Sequence, residues 1–345
     1  MAITIALDAM GGDRAPGAVV DGAARVAEGA PELRFLIAGD AERVEPLVAR
    51  HPRLAERSEL LHTPESIAPD AKPSAALRQG RNSSMRLAID AVKAGEANAA
   101  VSAGNTGALM ALAKFVLKTL PGIDRPAIAS VLPATKPVVV LDLGANAECD
   151  ANNLVQFAIM GEVYARAVLG VARPSIGLLN IGTEELKGDD MVRAAAAALR
   201  QSPLDIEFGG FVEGHDILRG TVDVVVTDGF TGNVALKVAE GTVGMLGASL
   251  RQAFASSWRA RLGYLLAKPA LGAVQRRLDP RRHNGAMFLG LNGIVVKSHG
   301  VADGMSFANA IRVAANLVGQ GSNDKITSEL ARVVHVDPEP RLAVS

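Results

Sequence analysis

Cysteine, excess charge and long apolar runs are all scarce in this chain of 345 residues. Its one cysteine, Cys149, excludes a disulfide framework, and the first residues lack the charged-then-apolar pattern of a secretory signal. The 36 basic and 36 acidic residues balance, which argues against a general nucleic-acid binder. No apolar run reaches the roughly 20 residues that span a bilayer. We therefore expect a cytoplasmic protein whose membrane association is peripheral.

Two common signatures of bound groups are also missing. The turn after the first apolar run reads DAMGGD, which is not the G-x-G-x-x-G fingerprint of a dinucleotide site. No histidines, cysteines and carboxylates cluster at the spacing of a metal site. The sequence therefore predicts neither a cofactor nor a metal ion.

Short runs of aliphatic and β-branched residues alternate with longer segments of helical period, which predicts parallel strands joined by crossover helices. The predicted strands are Ile3–Leu7, Leu33–Ala38, Ala99–Ser102, Val138–Leu143, Ser175–Ile181, Val222–Thr227 and Ile294–Lys297. We expect an α/β fold with a doubly wound, mostly parallel, Rossmann-like sheet. Residues 1–335 are predicted to form one catalytic domain of two closely joined lobes, and residues 336–345 a disordered tail.

Polar, glycine-rich turns follow nearly all of these strands. In open α/β sheets ligands bind beyond the carboxyl ends of the strands, so we expect the turns to gather at one sheet edge. Their candidate substrate-binding residues are Asp8, Gly11, Gly12, Asp13, Gly104, Asn105, Thr106, Asn146, Asn180, Gly182, Asp228, Gly229, Thr231 and Gly232. The competing interpretation is that the glycines only make tight turns.

Two of these turns lead directly into apolar helical segments. Backbone amides at such a helix start suit an anion, and phosphate is the simplest one. We expect the amides of Gly104–Thr106 and Gly229–Gly232 to form the cradle, with Thr231 as a helix cap. On the helix that follows, Asn233 lies one turn before Lys237, which is a further candidate substrate-binding residue.

Four further side chains are of types that take part in catalysis or in substrate binding. Lys187 follows a buried strand in LLNIGTEELKGDD and is either a solvated lysine or a cleft residue. Lys297 and His299 follow the last predicted strand and are candidate substrate-binding residues. Cys149 lies between Glu148 and Asp150, acids that would raise its pKa, so a structural role is expected rather than a nucleophilic one.

The segment Leu250–His283 is unusually basic, with Asp279 as its one acid. Pro269 divides it into what we predict to be a protruding amphipathic helical hairpin, called the basic arm here. Candidate docking residues for acidic carrier proteins or anionic membranes are Arg259, Arg261, Leu262, Leu265, Leu266, Lys268, Arg276 and Arg277. A helix pair packed at a dimer interface is the alternative.

Several blocks in order resemble the phosphate acyltransferase family PlsX. They are LDAMGGD, AVSAGNTGALMA, VVVLDLGANAECD, LLNIGTEELKGDD, GFVEGHDI and DVVVTDGFTGNVALKVAEG. The resemblance implies a homodimer similar in fold to phosphotransacetylases and isopropylmalate-type dehydrogenases. It also implies formation of acyl phosphate from acyl carrier protein thioesters and inorganic phosphate, for a membrane glycerol-3-phosphate acyltransferase in phospholipid synthesis. The catalytic residues implied by this resemblance are Lys187 and Asn233.

The chemistry fits these residues without an acyl-enzyme, because phosphate is already an anionic nucleophile and a thiolate leaves readily. The site then needs donors that orient phosphate and stabilise the tetrahedral oxyanion. Where many family members have Tyr-Gly-Gly-Ala-Pro-Leu-Leu-Gly, this chain has the different sequence of residues 283–290, at the expected wall of the acyl channel. The alternatives are a phosphotransacetylase that uses acyl-coenzyme A and a nonenzymatic peripheral membrane protein.

Overall fold

Eleven strands form one sheet in the computed structural model, which describes residues 2–202 and 206–334. The strands are β1 (Ile3–Asp8), β2 (Leu33–Gly39), β3 (Ser58–His62), β4 (Ala99–Ser102), β5 (Ala127–Leu132), β6 (Val138–Leu141), β7 (Ser175–Leu179), β8 (Glu207–Val212), β9 (Val224–Val226), β10 (Ala286–Leu289) and β11 (Ile294–Lys297). Their order across the sheet is β3-β2-β1-β4-β11-β10-β5-β6-β9-β7-β8.

Thirteen helices connect and cover these strands within the described residues. They are α1 (Gly17–Gly29), α2 (Ala41–Val48), α3 (Pro52–Ala55), α4 (Pro73–Gln79), α5 (Ser84–Ala94), α6 (Thr106–Leu117), α7 (Ala151–Leu169), α8 (Asp190–Gln201), α9 (Gly214–Arg219), α10 (Gly229–Ala255), α11 (Trp258–Leu278), α12 (Gly304–Gly319) and α13 (Ser322–Val334). A 3-10 turn spans Pro280–His283.

Both faces of the sheet are covered by helices, as the nearly continuous apolar strands predict. One buried cluster joins the sheet to α1, α7, α8 and α12, and a second joins it to α5 and α6 on the other face. β4, β6 and β9 are buried along their whole length. The expected doubly wound, mostly parallel α/β fold is therefore confirmed.

The centre of the sheet reverses the direction of its strands. β10 runs antiparallel to both β11 and β5, and β5 runs antiparallel to β6. The parallel group β3-β2-β1-β4-β11 therefore points opposite to the parallel group β6-β9-β7-β8. The expectation that the glycine-rich turns gather at one edge is wrong, because the turns after β1 and β4 lie at the opposite edge from those after β6, β7 and β9.

The basic arm differs from its prediction at one point. The break between its helices lies at Ser256 and Ser257, whereas Pro269 lies inside α11. Ser257 caps α11 by accepting a hydrogen bond from the amide of Ala260 at 3.1 Å, which explains why the second helix begins there. The first helix of the hairpin is the far half of α10, so one continuous helix runs from a glycine-rich turn into the arm.

The arm exposes a large apolar surface beside its basic residues. Trp258 is 71% exposed and Leu266 80%, and Leu262 and Leu265 are exposed as well. The rings of Phe254 and Tyr264 lie 5.4 Å apart and join the two helices. No helix in the described part of the chain is long and apolar enough to cross a membrane. The side chain of Arg277 and the tail at 336–345 lie outside the described residues.

Candidate active site

Asp8 ends β1 and is the centre of the first group of turns. Its carboxylate is buried and accepts hydrogen bonds from the hydroxyls of Ser84 and Ser102, each at 2.6 Å. Burial raises the pKa of Asp8, and these hydroxyl donors oppose the rise. Gly11 packs so closely that a Cβ there would lie 2.4 Å from the carboxylate and 2.8 Å from the amide of Gly104. Asp8 therefore joins the turns after β1 and β4 as a structural group.

Asp142 has the same structural role after β6, in the second group of turns. It is fully buried and accepts hydrogen bonds from the amides of Ile128, Gly144, Ala145 and Asn146, and from the Asn146 side chain, at 2.8–3.1 Å. Burial raises its pKa and these hydrogen bonds oppose the rise. These hydrogen bonds fix the turn at residues 144–146, which is called the floor here because the start of α10 packs on it.

The start of α10 lies directly on that floor. The amide of Gly229 donates to the carbonyl of Asn146 at 2.7 Å. A Cβ at Gly232 would lie 1.9 Å from the carbonyl oxygen of Asp142, so only glycine fits. A Cβ at Gly144 would lie 3.5 Å from the side chain of Asn233. These contacts place Asn233 above the turn after β6.

Four amides of the expected cradle already have acceptors within the chain. The amides of Gly229, Thr231 and Gly232 donate to Asn146, to the Asp228 carboxylate and to the Asp228 carbonyl. The amide of Gly104 donates to the Ser102 hydroxyl at 3.0 Å. These amides are satisfied within the chain and are not available to an anion.

Four predicted binding side chains also have structural partners. Asp228, not Thr231, is the cap of α10, and it accepts from the Thr231 amide at 2.8 Å. Asn105 caps α6 through Ala108 and donates to a carbonyl in the loop before α4. Asn146 is bound to Asp142, and Asn180 donates to the carbonyl of Lys187 at 3.1 Å. The structure therefore assigns local stabilising contacts to each of them.

Lys187 and Asn233 differ from these residues in that their side chains are exposed. β7 pairs with β9, so the turn that carries Lys187 follows the strand next to the one that leads into Asn233. Within the described residues, neither side chain has a hydrogen-bond partner. Gly182 packs against the stem of Lys187, with its added Cβ 3.1 Å from Cγ. Two free donors are thus carried by neighbouring turns at one edge of the sheet.

Lys297 and His299 lie at the other edge, where β11 ends, and α10 reaches them. Lys237 Nζ is 3.4 Å from Nε2 of His299 and forms an ion pair with Glu240 at 2.8 Å. Lys297 Nζ donates to the carbonyls of Ser298 and of Ala103, the latter at 3.4 Å. Burial lowers the pKa of Lys297 to about 8, despite the attraction of Asp8. α10 thus connects the two groups of turns, since Asn233 and Lys237 lie one turn apart on it.

Sequence reasoning missed two residues that hold this arrangement. Asp142 follows an apolar run in the same Leu-Asp context as Asp8, a signal that the sequence offered. Asn284 accepts from the amide of His299 at 2.9 Å and donates to the Ser298 hydroxyl at 2.7 Å. No local pattern marks Asn284, because its partners lie 14 and 15 positions further along the chain.

Cys149 is half-buried below the start of α10, and its pKa is raised to about 11. Burial is the largest cause, and the charges of Asp142 and Asp228 add to it. The sequence correctly predicted a raised value but named the wrong acids, Glu148 and Asp150. A thiol with this pKa is protonated near neutral pH and is a poor nucleophile.

Comparison with known proteins gives extensive matches. The model of the family described as fatty acid synthesis protein matches residues 3–325. The chain is 60% identical over 340 residues to a phosphate acyltransferase from Paramagnetospirillum magneticum, covering 98% of this chain and 97% of that protein. It is 62% identical over 330 residues to a phosphate acyltransferase from Rhodospirillum centenum, covering 95% and 93% of the two chains.

Solved structures resemble the chain at lower identity. A phosphotransacetylase from Streptococcus pyogenes aligns with a TM-score of 0.62 and 20% identity, covering 92% of this chain and 94% of that one. The EutD phosphotransacetylase from Staphylococcus aureus aligns with a TM-score of 0.57 and 17% identity, covering the same shares. At these identities the likeness shows the fold alone.

Proposed function

Since this chain belongs to the fatty acid synthesis protein family and is an acyltransferase that acts with phosphate, we propose that its acyl donor is a long-chain thioester of acyl carrier protein. The product is then acyl phosphate, made for a membrane glycerol-3-phosphate acyltransferase at the start of phospholipid synthesis. The observation that carries the proposal is the pair of unpartnered donors, Lys187 and Asn233, on neighbouring turns. The high identity to phosphate acyltransferases supports the reaction type.

The proposed mechanism is direct attack of phosphate on the thioester. A phosphate oxygen bonds to the carbonyl carbon, the carbonyl oxygen becomes a tetrahedral oxyanion, and the C–S bond then breaks to release the thiolate. Lys187 and Asn233 stabilise the oxyanion, since each can donate hydrogen bonds that no described residue accepts. Cys149 takes no part, because its raised pKa keeps the thiol protonated.

The basic arm supports a carrier protein as the donor. Arg259, Arg261 and Lys268 are exposed on α11, and Arg276 is exposed near its end. Acyl carrier protein is acidic and the cytoplasmic leaflet carries anionic lipid, so both would be attracted by this charge and both attractions would be screened by salt. The exposed apolar side chains of α11 suit shallow, reversible contact with lipid headgroups. We place carrier docking and peripheral membrane contact on the arm.

A homodimer is the second part of the same proposal. α10 exposes several apolar side chains, of which Val238, Met245 and Leu246 are 52–65% exposed in the single chain. An apolar surface of this kind commonly marks an interface. Sedimentation equilibrium of the protein, with and without the triple change Val238→Asp, Met245→Asp and Leu246→Asp, tests it: a dimer that the triple change leaves intact would exclude this surface.

A comparison of two acyl donors tests the proposed substrate. The protein is incubated with inorganic phosphate and either palmitoyl-acyl carrier protein or palmitoyl-coenzyme A, and acyl phosphate is trapped with hydroxylamine. We expect kcat/KM to be at least about tenfold higher for the carrier-protein thioester, a difference worth ~1.4 kcal/mol. Equal or higher kcat/KM with acyl-coenzyme A would make the protein a phosphotransacetylase. No acyl phosphate from either donor would leave only the nonenzymatic, membrane-binding alternative.

A further inference from the structure

The negative charge of the attacking phosphate must be compensated by hydrogen-bond donors or positive charges of the chain. At many phosphate sites, backbone amides at a helix start supply it. Here the amides of Gly104, Gly229, Thr231 and Gly232 already donate to oxygens of the chain itself. Side chains can supply the compensating charge instead, and three basic side chains lie close together beside these turns.

The three side chains lie where α10 passes the end of β11. Lys237 from α10 and His299 from the turn after β11 approach to 3.4 Å. Lys297 ends β11 and its ammonium is satisfied only by two backbone carbonyls. Within the described residues, no carboxylate lies within ion-pair distance of Lys297. Lys237 and Lys297 both interact electrostatically with His299 and with each other, so the three basic side chains lie in one region.

The contact between Lys237 Nζ and His299 Nε2 brings two groups that can donate hydrogen bonds to an anion side by side. Nδ1 of His299 lies 3.5 Å from the amide nitrogen of Val301. In the tautomer that carries its proton on Nε2, the ring and the ammonium can both donate to one anion. Burial and the charge of Lys237 lower the pKa of His299, which keeps the ring neutral. An anionic oxygen between the two groups would accept from both.

The acids near this region do not replace such an anion. Asp8 is buried and bound by Ser84 and Ser102, and Glu240 is engaged in its ion pair with Lys237. Asp13 is exposed on the turn after β1, and its amide donates to the carbonyl of Gly300. Asp8 and Asp13 attract Lys297 only at longer range, since burial still lowers its pKa.

We propose that Lys237, Lys297 and His299 form the subsite that binds the attacking inorganic phosphate. The inference rests on the proposed function in that it takes phosphate as the nucleophile and the thioester as its target. Asn233 lies about 6 Å along α10 from Lys237, one helical turn. Phosphate held by the basic cluster would therefore lie beside a carbonyl carbon whose oxygen is bound by Asn233. Phosphate binding and oxyanion stabilisation are thus divided between successive turns of one helix.

Equilibrium binding of inorganic phosphate alone tests this subsite without any acyl donor. Calorimetry of the full-length protein would compare wild type with Lys297→Met and Lys237→Gln, and would use Lys93→Met, an exposed lysine of α5, as the matched control. We expect the Kd for phosphate to rise at least about tenfold in each cluster variant, since each loses a charge-assisted contact. Lys93→Met should bind as wild type does. Thermal unfolding confirms that each variant is folded.

Steady-state kinetics of the cluster variants distinguish a role in phosphate binding from a general loss of structure. In a phosphate-dependent assay, Lys237→Gln and His299→Gln should raise KM for phosphate and leave KM for the acyl donor within about twofold. Phosphate affinity that is unchanged in folded Lys297→Met and Lys237→Gln proteins would overturn the subsite. So would an equal rise of both KM values in the kinetic assay.

The pH dependence of binding provides a second readout. Lys297 loses its charge as the pH rises through its lowered pKa of about 8, whereas phosphate remains dianionic above that pH. The Kd of wild type should therefore rise roughly tenfold between about pH 7.5 and 9.5, and that of Lys297→Met less than about twofold. Parallel profiles for the two proteins would exclude Lys297 as a phosphate ligand.

These outcomes distinguish the subsite from the proposed acyl donor. If phosphate binds through the cluster but acyl carrier protein thioesters are not used, the donor assignment fails and the subsite stands. If acyl phosphate forms from the carrier thioester while the cluster variants keep full phosphate affinity, the subsite fails and the donor assignment stands.

Discussion

Replacing Gly232 with alanine tests whether the start of α10 must sit where it does. The new Cβ would lie 1.9 Å from the carbonyl oxygen of Asp142 and 2.9 Å from Thr227. That oxygen belongs to a turn whose carboxylate is fixed by five hydrogen bonds, so the floor has little freedom to move. The helix start has to retreat instead, by at least about 1 Å, to reach a tolerable contact.

The displacement of the start of α10 has two measurable consequences. Overpacking of this kind costs about 1–3 kcal/mol of stability. Asn233 is the next residue along the helix, and a displacement of about 1 Å at a catalytic donor can lower turnover roughly a hundredfold. We therefore expect Gly232→Ala to lower kcat by about two orders of magnitude, with a smaller effect on Tm, in a phosphate-dependent thiol-release assay.

Gly241→Ala is the matched control on the same helix. A Cβ there has no neighbour within 4 Å, and alanine favours the helix over glycine by about 1 kcal/mol. This variant should keep wild-type turnover and an equal or higher Tm. If Gly232→Ala retained wild-type turnover, the reasoning that places chemistry at the start of α10 would be wrong, whatever happened to Tm.

Three further predictions concern the donor, the thiol and the arm. Lys187→Ala should lower kcat roughly a hundredfold in a folded protein, as loss of an oxyanion donor does, and wild-type turnover would remove the lysine from the mechanism. Cys149→Ser should keep most activity because the thiol is protonated, and mass spectrometry of a quenched reaction should find no acylated protein; an acyl group on Cys149 would contradict this. Changing Arg259, Arg261 and Lys268 to Glu should raise KM for acyl carrier protein and reduce sedimentation with anionic liposomes, both in a salt-dependent manner, and an arm that is only structural would leave both unchanged.

Much of the sheet was predictable because its strands are strongly apolar. The bounds of β4 and β11 match their predictions, and those of β1 and β2 differ by one residue. Among the missed strands, β3 is a half-polar edge strand and β8 contains two glycines, whereas β5 and β10 are as apolar as the strands that were predicted. β5 and β10 are the strands at which the direction of the sheet reverses. Strand direction depends on pairing between distant segments, so the sequence could not show that the turns lie at two edges.

The residues of the candidate site were easier to predict from the sequence than the roles of those residues. The glycine-rich turns were recognisable, and Lys187, Asn233, Lys237 and His299 carry side chains that the structure leaves exposed there. Which amides are free cannot be read from a turn sequence, because the acceptor of the Gly229 amide is supplied by another turn. The sequence therefore counted as cradle donors four amides that the structure binds to oxygens of the chain itself.

Release of thiol in a single turnover, with and without phosphate, tests direct attack most directly. Protein in excess over palmitoyl-acyl carrier protein is mixed in each condition, and free thiol and hydroxylamine-trapped acyl product are measured. Direct attack predicts no thiol release above background without phosphate, and equal amounts of thiol and acyl phosphate with it. Release of thiol without phosphate, up to the amount of palmitoyl-acyl carrier protein supplied, would show an acyl-enzyme and contradict the account.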